Sequence, residues 1–219
     1  MIGDFFKVKQ IPSLFWSAPK ALTLRPPLLS VVLLSLGLVI FAIGEGMIVA
    51  AGIGVSPWTV FAQGLSSLSG WTVGFSTFIT SMMVLLLWIP LRQMPGLGTI
   101  LNALIIAIML DVSLHYLPRP ELFIMSVMMA VCGVMLVGFG SAVYLIANLG
   151  AGPRDGLMTG LQRLSGQPIM NVRIAIEIIV VASGWLMGGM VGLGTMLFAF
   201  GIGPAVSFCA HSLFLLFKK

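Results

Sequence analysis

Gly150-Ala-Gly-Pro-Arg-Asp-Gly-Leu-Met-Thr-Gly-Leu-Gln-Arg-Leu-Ser-Gly166 is a charged, glycine-rich stretch between two long apolar runs. Gly54-Val-Ser-Pro-Trp-Thr-Val-Phe-Ala-Gln-Gly-Leu-Ser-Ser-Leu-Ser-Gly70 matches it without a gap, 96 residues earlier. Ser56-Pro57 and Gly152-Pro153 read as the N-cap and first residue of two short helices. Serine and glycine are accepted at the cap, and proline's missing N–H is not needed in the first turn. The expected short helices are 56–69 and 152–165. At about 14 residues they fall short of the roughly 20 that cross a bilayer, so each reads as a half-helix.

The match runs beyond the loops. At the same offset Gly37 meets Gly133, Gly44 meets Gly140, and Met94, Gly96, Leu97, Gly98 and Thr99 meet Met190, Gly192, Leu193, Gly194 and Thr195. Leu101 meets Leu197, Ala103 meets Ala199 and His115 meets His211. Such self-similarity marks an internal repeat.

Composition names the solvent. The chain is 59% hydrophobic and 8% charged, against roughly 25% charged in soluble domains, which makes it a membrane protein. The apolar runs are helix-length, and the alternation of a β-barrel is absent. Six long spans are expected, at about 28–52, 72–90, 98–117, 122–148, 169–188 and 195–217, each near the roughly 20 residues a crossing takes. Residues 1–27 carry Lys7, Lys9, Lys20 and Arg25 among apolar side chains and read as a cytoplasmic interfacial segment. Residues 28–118 form the first repeat and 119–217 the second, in a single membrane domain.

Basic residues orient the spans. With the N-terminus inside, ten of the eleven Lys and Arg fall on the cytoplasmic side and only Arg119 falls outside. Both ends are then cytoplasmic. Three spans per repeat is an odd number, so the second copy enters from the opposite side. The expected fold is an all-α polytopic membrane protein with six transmembrane helices, two half-helices and a 3+3 inverted-topology repeat, the plan of many secondary transporters.

The motifs Gly150-Ala-Gly-Pro-Arg-Asp-Gly-Leu-Met-Thr-Gly160, Ser56-Pro57-Trp58, Trp88-Ile-Pro-Leu-Arg-Gln93 with Pro95-Gly-Leu-Gly-Thr99, and Gly194-Thr-Met-Leu-Phe198 with Gly203-Pro204 resemble the YczE branch of the YczE/YyaS/YitT bacterial membrane proteins. The resemblance covers roughly residues 30–215 and implies an integral inner-membrane protein, with links to natural-product biosynthesis in some members. It implies no substrate and no catalytic residues. The family's usual Pro-Trp-Asp is here Pro57-Trp58-Thr59, whereas Asp155 keeps an acid in the second loop.

The free N–H groups of half-helices can hold an anion. Ser56, Pro57, Trp58 and Thr59, with Gly152, Pro153, Arg154 and Asp155, are therefore the candidate substrate-binding residues; the alternative is packing alone. Acids inside spans cost about 2.5–3.5 kcal/mol at a helix centre and should face the bundle interior. Glu45, Asp111 and Glu177 are those acids, and their repeat mates are Ser141, Ser207 and Ser81. All six are candidates to line one polar cavity. Glu45 is the foremost candidate for a proton or cation site. Asp111 and His115, one turn apart, read equally as a proton relay or as a pair near the outer interface. Glu177 follows Arg173 by one turn and reads as its ion-pair partner.

No phosphate loop, nucleophile–base set or zinc pattern occurs, so no enzyme, cofactor or metal is expected. His115 and His211 lie near opposite membrane surfaces, too far apart to share a metal. Cys132 and Cys209 sit in apolar runs as small hydrophobes. The basic residues are too scattered for nucleic acid. The expected partners are the lipid bilayer, an unidentified small-molecule solute and a second copy in a homo-oligomer. Three functions are compatible with this reading: a small-solute transporter, with proton coupling through the buried acids; a non-transporting assembly or regulatory protein of a biosynthetic pathway; and the substrate-capture subunit of an energy-coupled importer.

Overall fold

The computed structural model describes residues 12–23 and 25–217. These form eight helices: α1 Leu28–Ala50, α2 Pro57–Ser69, α3 Val73–Trp88, α4 Leu97–Tyr116, α5 Phe123–Ile146, α6 Pro153–Ser165, α7 Ile169–Leu186 and α8 Leu193–Phe217. The starts of α2, α3 and α4 recur in α6, α7 and α8 at a spacing of 96 residues. Five helices (α1, α4, α5, α7 and α8) are long and apolar enough to cross a membrane. The pair α2 and α3 is bent by 112° at its break, and counting it as one span gives six.

The local chemistry explains the breaks. Pro57 and Pro153 start α2 and α6, and Gly70 (φ 74) and Gly166 (φ 67) end them in the left-handed conformation that glycine adopts without a Cβ penalty. Thr72 then restarts the chain, its side chain accepting from Phe75 N–H. The expected span 72–90 is shorter than the sequence suggests. The helix α3 has 16 residues, about 24 Å at 1.5 Å per residue, and stops where Pro90 would deny it an N–H.

The centre of the bundle is the crossing of α1 and α5. A Cβ on Gly37 would meet Gly140 O at 2.9 Å, and one on Gly44 would meet Gly133 O at 2.7 Å. As position rises along α1 it falls along α5, so the two helices run antiparallel. In lipid no hydrophobic drive pulls helices together, and close backbone approach over small residues supplies the packing instead. The helix α4 lies along α1 and α8 along α5. The half-helices are exchanged across the molecule: α2 packs on α7 and α6 on α3.

The loops before α4 and α8 are tied in the same crossed way. Gly98 N–H donates to Leu149 O at 2.7 Å, and Gly194 N–H to Ile53 O at 2.8 Å. One relation is not matched. The helix α3 packs along α4, but α7 and α8 make no more than a passing contact.

The described part of the N-terminal segment closes one end of the bundle. Ser17 Oγ donates to Ile146 O at 2.5 Å and Ala18 N–H to Ala147 O at 3.0 Å. Asn148 Nδ2 returns a bond to Ala18 O at 2.8 Å, and Trp16 meets Phe217 edge-on at 5.4 Å. Residues 12–23 are therefore docked on the end of α5 and on the end of α8. Lys7, Lys9, Lys218 and Lys219, which carry part of the orientation argument, lie outside the described residues.

Candidate functional site

The first turns of α2 and α6 meet inside the bundle. The Arg154 guanidinium carbon stands 5.4 Å from the centre of the Trp58 ring, a cation–π contact. Trp58 and Arg154 occupy the same position in the two 96-residue copies, so the pair joins like points of the two half-helices. Trp88 fixes the α6 side, its Nε1 donating to Pro153 O at 2.9 Å. Its ring lies against Gly156, where a Cβ would collide with it.

An acid stands beside each half-helix, on a different element in each half. In the first, Glu45 of α1 is 1% exposed. Its Oε2 lies 2.9 Å from both Ser56 Oγ and Thr59 Oγ1, which are themselves 2.9 Å apart. In the second, the acid is on the half-helix. Asp155 Oδ2 accepts from Tyr144 Oη of α5 at 2.8 Å, and the Asn102 side chain stands beside Gly152 at the start of the same helix. Glu45 and Ser141 are repeat mates, as are Thr59 and Asp155. Carboxylate and hydroxyl have thus changed places between the long helix and the half-helix.

Arg154 is the one charge that serves both acids. Glu45 and Asp155 are the acids whose charge bears most on it, although no direct ion pair joins it to either. It makes no hydrogen bond to any described residue. Glu45 Oε1 is likewise buried without a partner. Low polarity makes such unpaired groups costly and their charges influential over several ångströms.

These groups border a cavity of about 360 Å³. Trp58, Gly152, Arg154 and Asp155 line it from the half-helices, and Ser141 and Tyr144 from α5. Arg173 and Glu177 line it from α7, and Ser207 from α8. It occupies the space between α7 and α8. Arg173 Nε and Glu177 Oε1 are paired at 2.9 Å. Ser56, Thr59 and Glu45 are buried and do not line it, while Pro57 and Pro153 are buried starts of their helices.

Three candidates lie elsewhere. Ser81 back-bonds to Thr77 O within α3. Asp111 holds the start of α3 onto α4: Oδ1 accepts from Gly74 N–H at 2.7 Å and Oδ2 from Thr72 Oγ1 at 2.5 Å. His115 is exposed, edge-on to Tyr116 at 4.9 Å, with no bond to Asp111. Asp111 therefore acts as a remote helix cap. Asp111→Ala is expected to cost about 1–2 kcal/mol, the usual loss for a cap, read as a lowered melting temperature in detergent. Asp111→Asn keeps an acceptor and should lose less.

Tyr144, Asn102 and Trp88 are not candidate site residues by sequence, although Trp88 opens the motif Trp88–Gln93. The only signal for Tyr144 was a lone phenol in a long apolar run, and for Asn102 an amide whose repeat mate is Phe198. Among the described residues no three of His, Cys, Asp or Glu gather as metal ligands do.

Known sequences place the chain. The family of unknown function DUF6198 matches residues 28–211. An uncharacterized protein of Haemophilus influenzae is 42% identical over 202 residues, 92% of each chain. The uncharacterized membrane protein YczE of Bacillus subtilis is 34% identical over 174 residues, 78% of this chain and 81% of its own. The uncharacterized protein YyaS of the same organism is 28% identical over 167 residues, 74% of this chain and 83% of its own. No solved structure matches the chain significantly. With a match over most of its length and a membrane protein among its relatives, the chain belongs to the DUF6198 family of YczE-type membrane proteins.

Proposed function

We propose that the protein is an inner-membrane transporter of a small solute, built from two inverted copies of three spans, with both ends in the cytoplasm. The observation that carries this reading is the unequal packing of equivalent helices around one polar cavity. The helix α3 lies along α4, clamped by Asp111, while its counterpart α7 stands off α8 and leaves the cavity between them. A structure that is open in one half and closed in the other is one of the two states alternating access requires. Exchange of the packing between the halves would supply the second.

Several contacts support the inversion. Gly37 meets Gly140 while Gly44 meets Gly133, and Gly98 bonds Leu149 while Gly194 bonds Ile53. Each contact has a partner with the copies interchanged, as a two-fold relation between them demands. The antiparallel course of α1 and α5 supports an axis in the membrane plane.

Proton coupling follows from charge. One guanidinium, Arg154, stands against two acids, Glu45 and Asp155, and Arg173 is taken by Glu177. Uptake of one proton balances the cluster, and an unbalanced charge inside a membrane protein is expensive enough to make that balance matter.

Thiol labelling tests the reading before a substrate is known. In a background without Cys132 and Cys209, Ser69→Cys and Ser165→Cys, both at exposed repeat-mate positions, should label from opposite faces of the membrane. Labelling from the same face would overturn the inversion. Ser207→Cys, on the cavity wall, should react with an impermeant methanethiosulfonate reagent from one face of oriented vesicles. No reaction from either face would point to a closed core and a non-transporting assembly protein.

A further inference from the structure

We propose that the cavity between α7 and α8 binds a small monocarboxylate with an apolar body, held at its acid end by the Arg154 guanidinium. This rests on the transport reading for its purpose but not for its geometry.

Arg154 lines the cavity and gives none of its five donors to a described residue. A guanidinium at this depth is expensive unless its donors are used. Trp58 lies within cation–π range of it, and the guanidinium N–H groups remain available. Those groups form the fork that matches a carboxylate with two parallel bonds.

A second observation points the same way. Ser141 is only 6% exposed, lines the cavity and makes no hydrogen bond to a described residue. Its hydroxyl is thus available at the same wall, as is the amide of Asn102. Unused donors, one buried and two half-buried, that line one space are what a site looks like before its ligand enters.

The number of cations sets the charge of the ligand. Arg173 is already neutralised by Glu177, so a single guanidinium is open and a dianion such as phosphate would bring in an unbalanced charge. The acids facing that guanidinium are Glu45 from α1 and Asp155 from α6, with the Tyr144 phenol from α5. With a carboxylate bound, three negative charges face one guanidinium and two protons balance them: the one the empty cluster already takes up and a second that accompanies the carboxylate.

The rest of the wall sets the body. Phe41, Ile106, Phe198 and Ile202 make it apolar, and at about 360 Å³ it lies at the small end of ligand pockets, which run roughly 300–1,000 Å³.

The test is binding to the purified full chain in lipid nanodiscs at pH 7.5. Propionate, isovalerate and benzoate are compared with benzamide and benzylamine, which keep the ring but lose the negative charge. At least one of the three carboxylates should bind, and benzoate at least tenfold more tightly than either neutral or cationic analogue. Arg154→Lys keeps the charge but loses the fork, and should weaken binding tenfold or more. Gly203→Leu fills the cavity from a position where a Cβ meets nothing within 4 Å, and should abolish binding in a folded protein.

Absence of binding for all three carboxylates would overturn the assignment. Equal binding of benzylamine, or unaltered binding in Arg154→Lys, would do the same. Uptake into proteoliposomes separates the two readings. Carboxylate binding without uptake retains the site and removes transport, whereas uptake of benzylamine alone retains transport and removes the site.

Discussion

Gly44→Leu is expected to prevent the protein from being recovered folded, the largest effect of any single change considered. The reason is backbone proximity. A Cβ at Gly44 would stand 2.7 Å from both Gly133 O and Val137 N, and neither can rotate away as a side chain can. Leucine would force α1 and α5 apart along their whole crossing, which includes the Gly37–Gly140 approach about two turns away. Overpacking in a yielding core costs about 1–3 kcal/mol. Here the displaced partner is a helix backbone, so the cost should lie at or above the top of that range. Helix association in lipid rests on packing that this separation removes. The measurement is the size-exclusion profile and thermal melt in mild detergent. Gly203→Ala is the control, since its Cβ would enter open space and the variant should match the parent. A monodisperse Gly44→Leu protein with the parent's melting temperature would show that the α1–α5 crossing is not the centre of the fold.

Much of this architecture is legible in the sequence because prolines and glycines punctuate it. Pro57 and Pro153 open α2 and α6, Gly70 and Gly166 close them, and the apolar runs between are too long to be anything but membrane helices. The repeat offset is also enough to pair Glu45 with Ser141 and Thr59 with Asp155. It does not say that Glu45 reaches Thr59, since that depends on how far the loop 51–56 dips back along α1.

Asp111 shows the same limit. A carboxylate in a span reads as part of a polar interior, yet this one turns to the start of a neighbouring helix and caps it. The direction of a side chain around its helix is set by packing that composition cannot reveal. Trp88 and Gly156 are similar. Trp88 stands at the repeat position of Gly184, and Gly156 at that of Val60. The bulk lost on one helix is regained on its partner, because α3 meets α6 as α7 meets α2. The compensation is visible only once those partners are known. Nothing in either repeat alone distinguishes the closed pair α3 and α4 from the separated pair α7 and α8.

Arg154→Met is expected to destabilise the protein, by less than the about 3–5 kcal/mol that breaking a buried ion pair costs, because Arg154 is half-buried and stands in no direct ion pair with either acid. Methionine retains much of the bulk against Trp58, so the loss is chiefly electrostatic. It leaves Asp155 facing the cavity and Glu45 buried beside it, with hydroxyls as their only close support. The cluster then carries two negative charges in place of one. Adding Glu45→Gln restores the original charge difference, and glutamine can still accept from Ser56 and Thr59 through its carbonyl oxygen. The double variant Glu45→Gln/Arg154→Met should therefore be more stable than Arg154→Met alone, although Glu45→Gln by itself should be neutral or mildly destabilising. That reversal of sign is what a double-mutant cycle detects, and a coupling of 1 kcal/mol or more lies within the usual range for contacting residues. It is read from detergent melting temperatures of the four proteins. If Glu45→Gln adds its own cost to Arg154→Met, the guanidinium does not balance Glu45. The charge argument for proton coupling then fails with it, whereas the hydrogen bonds from Ser56 and Thr59 to Glu45 would stand.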